Sequence, residues 1–531
     1  MSGYVRKTWE RFDIRKLKLK PTDYQYRTAQ YAAQFHISRF LALWDMGLGK
    51  TPLSIFWAAS LMCRYWRHKH KKLICNVVAA PQLQENFKNT LHKMGFDDKH
   101  ISRFYRFWSF ELANHRPSQF KHSCHKQLVI IDEIQRIRTV IRTHRPDSKK
   151  HKCKGSQAKS VIKGCKKARH LFGMTGTLIV NSLSDLINVC RLLCDKEARM
   201  KQEFEMLFPC NALKKNQPLS TQQLTTLQSI FHGKLSVVSK AQLTQKLPTH
   251  REVCVILEMN PEYYAAYKRV ENNEAEKLRL ENKEMDIKGS GAFWSGLRQA
   301  ANKINSVASQ KRLFALEKIL YHKARKEKVA ITSVFLSRGL QLLTRSFPRH
   351  NIRFVEITGD TKQKDRQSLV NRFNTSKHVD VMVMSGAGTT GTSLTDACIQ
   401  INLESLWNEA SRQQTNFRIV RMDSKHQHLI IYNLMMAKPG SEFRNFVQKL
   451  QVAIDQKLPG APHQVIPVSD LSLKITTAES PDELPSIDLH LFDLQMTKSR
   501  CFDTLLHEIP KWGIETTHTT VKLEPLPIRM K

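Results

Sequence analysis

Short, continuously apolar runs separated by amphipathic stretches narrow the folds open to this chain more than any other feature. The runs are Leu73–Ala80, Gln127–Ile131, Leu171–Thr175, Val329–Leu336, Arg353–Thr358, Val379–Ser385, Ile399–Leu403 and His428–Tyr432. Strands apolar on both faces read as buried parallel sheet with helices on either side. The runs fall into two groups, 30–195 and 325–435, which predicts an α/β fold of two lobes. The stretch 196–325 reads as mostly helical and charged, and Leu458-Pro-Gly-Ala-Pro462 opens a poorly patterned tail. The expected domains are therefore 1–195, 196–325, 326–455 and 456–531, reasonable for a chain of 531 residues.

The strongest local motif is Met46-Gly47-Leu48-Gly49-Lys50-Thr51, between the apolar run Phe40–Trp44 and a helical stretch from Pro52 to Tyr65. Glycines let a backbone wrap phosphate oxygens, and a helix N-terminus adds favourable partial charge. Lys50 is placed to neutralise the outer phosphates, and the Thr51 hydroxyl to meet Mg²⁺. The strict phosphate-loop pattern is missed, because Trp44 stands where its first glycine belongs. Taken alone, the fragment also reads as a helix-start turn with an exposed lysine. The later run Leu128-Val-Ile-Ile-Asp132-Glu133-Ile-Gln135 decides between the two. It is an apolar strand ending in two carboxylates, at the sheet edge where α/β folds present ligands. Asp132 can hold Mg²⁺ through water, and Glu133 can orient or deprotonate an attacking water.

Charge points to the partner. Lys and Arg number 85 against 47 Asp and Glu, a net charge of +38. Nucleic acid is the first polyanion to expect, and an acidic membrane surface the second. The excess lies ahead of residue 470, since 470–531 hold ten acidic and seven basic residues. No run of eighteen apolar residues is present, so no membrane span is expected. The opening residues lack the apolar stretch of a signal peptide, and the eleven cysteines form no CxxC pair. Both fit a reducing compartment.

The order of motifs resembles superfamily-two helicases, and within them the Swi/Snf-type DNA-dependent ATPases and related viral ATPases, over residues 20–435. Asp23-Tyr-Gln25 resembles the family's adenine-reading motif, with Gln25 as the base contact. Met46–Thr51 and Asp132-Glu133 stand as the first ATP motif and the DExx motif. Val78-Ala-Ala-Pro-Gln82 looks like a strand end that holds a nucleic-acid backbone. Met174-Thr-Gly-Thr-Leu178 with Asn181 and Asp185 is similar to motif three. Leu247-Pro-Thr-His-Arg-Glu252 and Asn260–Tyr267 resemble the lobe-linking segment and its aromatic helix, which favours the Swi/Snf branch. Ile357-Thr-Gly-Asp-Thr361 with Arg366, then Ser385–Gly388 with Gly391, match lobe-two motifs. Gln414-Thr-Asn-Phe-Arg418-Ile-Val-Arg421 looks like motif six, whose spacing puts three side chains on one helix face.

The resemblance implies two RecA-like lobes binding ATP and Mg²⁺ in the cleft between them. Residues 1–195 would be the ATP-binding lobe and 326–455 the C-terminal lobe. Lobe one supplies Gln25, Lys50, Thr51, Asp132 and Glu133; lobe two supplies Gln414, Arg418 and Arg421 as γ-phosphate contacts. The implied activity is an ATP-driven DNA helicase or translocase. An RNA-directed ATPase acting in transcription, or a nucleic-acid-binding regulator with a decayed ATPase, is the alternative. DNA is expected ahead of RNA, with replication or transcription proteins as further partners and a nuclear location. The compact arrangement suggests a viral or mobile-element protein. Departures from the family are Gln135 for the DEAH histidine, Leu178 for the motif-three proline, Thr389-Thr390 for paired glycines, and Val237–Lys240 where paired arginines usually stand.

Three constellations keep two readings. The lysine-rich segment His144–Lys167 reads as a solvated basic loop, either contacting phosphates or serving nuclear import, or without specific role. Phe104–Phe110 offers base-stacking residues, though core packing explains it as well. Ser337-Arg338-Gly339 is either a phosphate contact or a helix cap. His122, Cys124, His125, Cys153 and Cys165 match no standard zinc spacing.

Overall fold

The computed structural model describes residues 18–34, 36–137, 156–179, 183–194, 197–208, 219–239, 248–280, 291–304, 309–386, 392–407, 409–421, 423–445, 447–448 and 485–512. The chain forms two compact units, 1–245 with 501–531, and 246–500.

The first unit is built on strands β1 (Arg39–Trp44), β2 (Cys75–Val78), β3 (Tyr105–Trp108), β4 (Leu128–Asp132), β5 (His170–Thr175) and β6 (Leu235–Val238). They lie in the order β3-β2-β4-β5-β1-β6, every pair parallel. β2, β4 and β5 are buried along their whole length, which is why their sequences are mostly apolar, with Asn76, Asp132, His170 and Thr175 as the polar exceptions. Parallel neighbours require crossovers, and the helix Lys50–Lys69 supplies the first. It buries Ile55, Phe56, Trp57 and Leu61, with Trp57 packed 5.1 Å from Phe172 of β5. Arg67, His68 and Lys69 close its last turn, where cations complement the helix dipole.

The second unit carries β7 (Thr249–Glu258), β8 (Lys328–Ser333), β9 (Phe354–Ile357), β10 (Val381–Ser385), β11 (Ala397–Asn402) and β12 (His428–Ala437). The order is β7-β12-β11-β8-β10-β9, again all parallel. A separate apolar cluster of Tyr263, Tyr267, Phe293, Trp294, Leu297, Met436, Ile487 and Leu491 forms around the aromatic helix. Two parallel six-stranded sheets flanked by helices are the α/β, two-lobed RecA-like architecture expected.

The segment 196–325 is not only helical. Its Leu235–Val238 pairs with β1, and its Thr249–Glu258 pairs with β12 over ten residues. Both are edge strands, and β7 is mostly half-exposed, so charged residues in it obscure the strand pattern. The tail is likewise patterned where it is described. Ile487–Trp512 is a helix whose first turns bury Ile487, Leu491 and Phe492 in the second unit, while Ile509 and Trp512 join the core of the first. The basic segment is helical from Ser156 to Cys165. Ala158, Val161 and Cys165 recur every three or four residues and enter the core of the first unit, so its lysines punctuate an amphipathic helix. His144–Gly155, including Cys153, lies outside the described residues, as do Asn181, Leu247, Gly388 to Gly391 and Asn408.

The aromatic stretch packs inward. Tyr105 is buried, Trp108 meets Phe120 edge-on at 5.2 Å and Phe107 meets Phe87 edge-on at 5.9 Å. Ser337 to Gly339 lies in a wide helical turn, Leu336–Leu340. Among the described residues, no group of three or more metal-ligating side chains is found, and no helix is long and apolar enough to cross a membrane.

Candidate nucleotide-binding site

Three neighbouring strands of the first sheet, β4, β5 and β1, bring the first-unit candidates to one edge. After β1 the chain turns through Gly47 at φ +88° and Gly49 at φ +76°, then enters its helix at Lys50. Both glycines sit in the left-handed region that other residues adopt only at a cost. The Lys50 ammonium donates to the carbonyls of Trp44, at 2.7 Å, and Asp45, at 3.1 Å. At the end of β5, a methyl group built on Gly176 would lie 3.5 Å from Lys50 Nζ, so Lys50 sits against the motif-three turn. That turn is closed by Thr175, whose Oγ1 donates to the Thr177 carbonyl at 2.7 Å and accepts from the Thr177 N–H at 3.0 Å.

Asp132 ends β4 and is buried. Burial, and then the charge of Glu133, push its carboxyl well above the usual carboxylate range, against the opposing pull of Lys50 and the Glu133 N–H. Glu133 takes a left-handed φ of +53°, and its N–H donates to Asp132 Oδ1 at 3.0 Å. Gln135 donates from Nε2 to Glu133 Oε2 at 2.6 Å. The residue that departs from the DEAH pattern thus holds the second carboxylate. This partnership was visible in the sequence only as a substitution.

Gln25 belongs to the helix Asp23–Ala32 and packs on the loop rather than projecting from it. Its Oε1 accepts from the Thr22 N–H at 3.0 Å, and its Nε2 donates to the carbonyls of Leu48, at 3.4 Å, and Gly49, at 3.2 Å. Tyr24, the middle residue of Asp23-Tyr-Gln25, donates from its hydroxyl to the Leu48 carbonyl at 3.3 Å. Met46, Gly47, Leu48, Gly49, Lys50 and Thr51 therefore form one turn braced from the helix before it.

The donor set suits a magnesium-bound phosphate. A buried carboxylate beside a second carboxylate is penalised for its charge, and a divalent cation would offset that penalty. Mg²⁺ binds through one or two carboxylates plus phosphate oxygens and water, and needs no all-protein cage. Thr51 is the second residue of the helix that follows the loop, where the family pattern puts a hydroxyl ligand.

In the second unit, Gln414 lies in the helix Glu409–Asn416, but that helix ends before the two arginines. Gln414, Arg418 and Arg421 do not share one helix face. Arg418 is in a turn and Arg421 in irregular chain, because the segment leaves the helix to run toward β12. Arg418 is buried, with Nη1 donating to the Thr392 carbonyl at 3.4 Å and its own carbonyl accepting from the Leu394 N–H at 3.1 Å. Arg366 donates to the carbonyls of Thr361, at 3.0 Å, and Thr358, at 3.1 Å, and so shapes the loop after β9. Gly391 lies outside the described residues.

Residues 311–423 match the helicase conserved C-terminal domain family. An uncharacterized ATP-dependent helicase of Mycoplasma pneumoniae is 23% identical over 416 residues, covering 72% of this chain and 36% of that protein. Helicase SWR1 of Eremothecium gossypii is 33% identical over 88 residues, 16% of this chain and 6% of that one. Among solved structures, a Sulfolobus solfataricus SWI2/SNF2 ATPase core in complex with dsDNA is 19% identical and aligns with a TM-score of 0.34, covering 83% of this chain and 92% of that one. The match spans about a third of the length of the Mycoplasma relative. The chain is thus similar to ATP-dependent helicases, with residues 311–423 matching the helicase C-terminal domain and a shorter stretch similar to Helicase SWR1.

Proposed function

We propose that this chain is a DNA-dependent ATPase that uses ATP and Mg²⁺ to move along a nucleic-acid backbone. The observation that carries the reading is the gathering of Lys50, Asp132 and Glu133 at or just after the ends of β1 and β4, the two strands that flank β5 in the first sheet, with Gln135 holding Glu133 at 2.6 Å. Lys50 binds the outer phosphates, and Asp132 with Thr51 would hold the Mg²⁺, which supplies charge neutralisation at those phosphates. Glu133, turned by its left-handed backbone and fixed by Gln135, orients the attacking water and takes its proton. Arg418 and Arg421 supply permanent positive charge for the γ-phosphate.

The partner is proposed from charge. A net +38 favours polyanions, and phosphate contacts bind without reading sequence. The names of the Mycoplasma and Eremothecium relatives agree with an ATP-driven motor. The test is steady-state ATP hydrolysis with no polymer, duplex DNA, single-stranded DNA and RNA, using Glu133→Gln as control. Stimulation by DNA that disappears in Glu133→Gln supports the proposal. Stimulation by RNA alone moves the reading to an RNA-directed ATPase. Absence of hydrolysis with every polymer rejects it.

A further inference from the structure

One carboxylate in the second unit occupies a sheet face that should be apolar. The Glu252 side chain, in β7, is 10% exposed and that of its partner Arg412 is 9% exposed. Its Oε1 accepts from Arg412 Nη1, from Asn416 Nδ2 at 2.6 Å and from Asn433 Nδ2 at 2.6 Å. Arg412 and Asn416 are four residues apart on the helix Glu409–Asn416, so they share a face. Glu252 therefore grips that helix at two successive turns.

A second strand, β11, reaches the same helical turn. Asn402 of β11 donates to Asn416 Oδ1 and to Asn433 Oδ1, both at 2.7 Å. Gln400 of β11 donates to the Thr415 carbonyl at 3.1 Å. Thr332, Asn402 and Asn433 are register partners on adjacent strands, and Thr332 donates to Asn402 Oδ1 at 2.6 Å. The polar ladder thus runs across β8, β11, β12 and β7 beneath the last turn of the helix. Arg418 follows two residues later, its N–H donating to the Thr415 carbonyl at 3.2 Å.

A buried charge pair gains little stability over apolar side chains of the same volume, because both ions lose their water. Directional hydrogen bonds do what apolar contacts cannot: they fix the rotation and height of one helix over the sheet. We propose that Glu252 is a positioning residue for Arg418 and Arg421, locking the turn that leads into them. The inference rests on the reading of those arginines as γ-phosphate contacts.

The test compares Glu252→Gln, Arg418→Ala and the double variant in the full chain, with duplex DNA at saturation. Glu252→Gln keeps the volume but removes the charge facing Arg412. It is expected to lower kcat about tenfold or more while the ATP KM stays within about twofold. Amide exchange across 413–421 is expected to quicken. The double variant is expected to be as slow as Arg418→Ala alone, since the two act as one unit. If Glu252→Gln keeps wild-type kcat while Arg418→Ala is inactive, positioning is overturned and the arginine reading stands. If Arg418→Ala keeps wild-type kcat, the arginine reading falls and the positioning role with it. Losses that multiply in the double variant would mean a merely structural Glu252 and overturn the inference. Should Glu252→Gln fail to fold, Glu252→Leu with Arg412→Met removes both charges together. That pair is expected to fold and to show the same kcat loss, and wild-type kcat in it overturns the inference.

Discussion

Gly49 and Gln25 approach so closely that a methyl group on Gly49 would lie 2.2 Å from the Gln25 amide nitrogen. The contact joins the helix before β1 to the loop after it, and it explains why the loop needs glycine twice over. A side chain at Gly49 would meet both the left-handed φ of +76° and the amide that braces the loop. Gly49→Ala is expected to destabilise the first unit by about 1–2 kcal/mol from the backbone conformation alone. It is also expected to weaken binding of a fluorescent ATP analogue. Adding Gln25→Ala removes the collision but not the φ cost, so urea unfolding of the double variant should recover only part of the loss. Full recovery would show that strain at Gly49 is unimportant.

The turn that carries Glu133 is wedged by a second close approach. A methyl group on Gly173 of β5 would lie 2.4 Å from Ile134 Cδ1, the first residue of the short helical turn Ile134–Ile137. Gly173→Ala therefore overpacks the sheet under the carboxylates, at an expected cost of about 1–3 kcal/mol. Shortening the neighbour with Ile134→Val should return stability and, with it, ATP turnover. Recovery of stability without turnover would separate packing from placement of Glu133.

Parallel sheet and phosphate loop were legible because each leaves a local mark. Buried strands such as β4 and β10 are apolar up to their last residue, Asp132 and Ser385, and Gly47 to Thr51 need a particular order of small and charged residues. The edge strands β6 and β7 were not legible. β7 begins Thr-His-Arg-Glu: Thr249 and Arg251 are exposed, while the Glu252 carboxylate packs against Arg412. The i, i+4, i+7 pattern of Gln414, Arg418 and Arg421 suggested a helix that the chain leaves at Asn416. Periodicity marks residues that fit a helix and not where tertiary bonds end it. The roles of Gln135, Tyr24 and Glu252 come from partners 2, 24 and 160 or more residues away, and no window of sequence contains most of those pairings.

The second unit holds a fully buried ion pair that tests how its C-terminal helix is retained. Lys311 Nζ lies 2.6 Å from Asp488 Oδ2, with side-chain exposures of 2% and 1%. Asp488 also accepts from the Met436 N–H at 2.9 Å, so the aspartate ties the helix Ile487–Trp512 both to β12 and to the helix Gln310–Ala324. Removing one partner strands the other charge, whereas removing both does not. Lys311→Met is therefore expected to cost about 3–5 kcal/mol, and Lys311→Met with Asp488→Asn markedly less. The asparagine is neutral and its side-chain oxygen can still accept from Met436. Urea unfolding of both variants decides the matter. If Lys311→Met alone were within about 1 kcal/mol of wild type, Asp488 would be held by its backbone donor rather than by the lysine. In that case the first turn of the helix should still protect the Met436 amide from exchange.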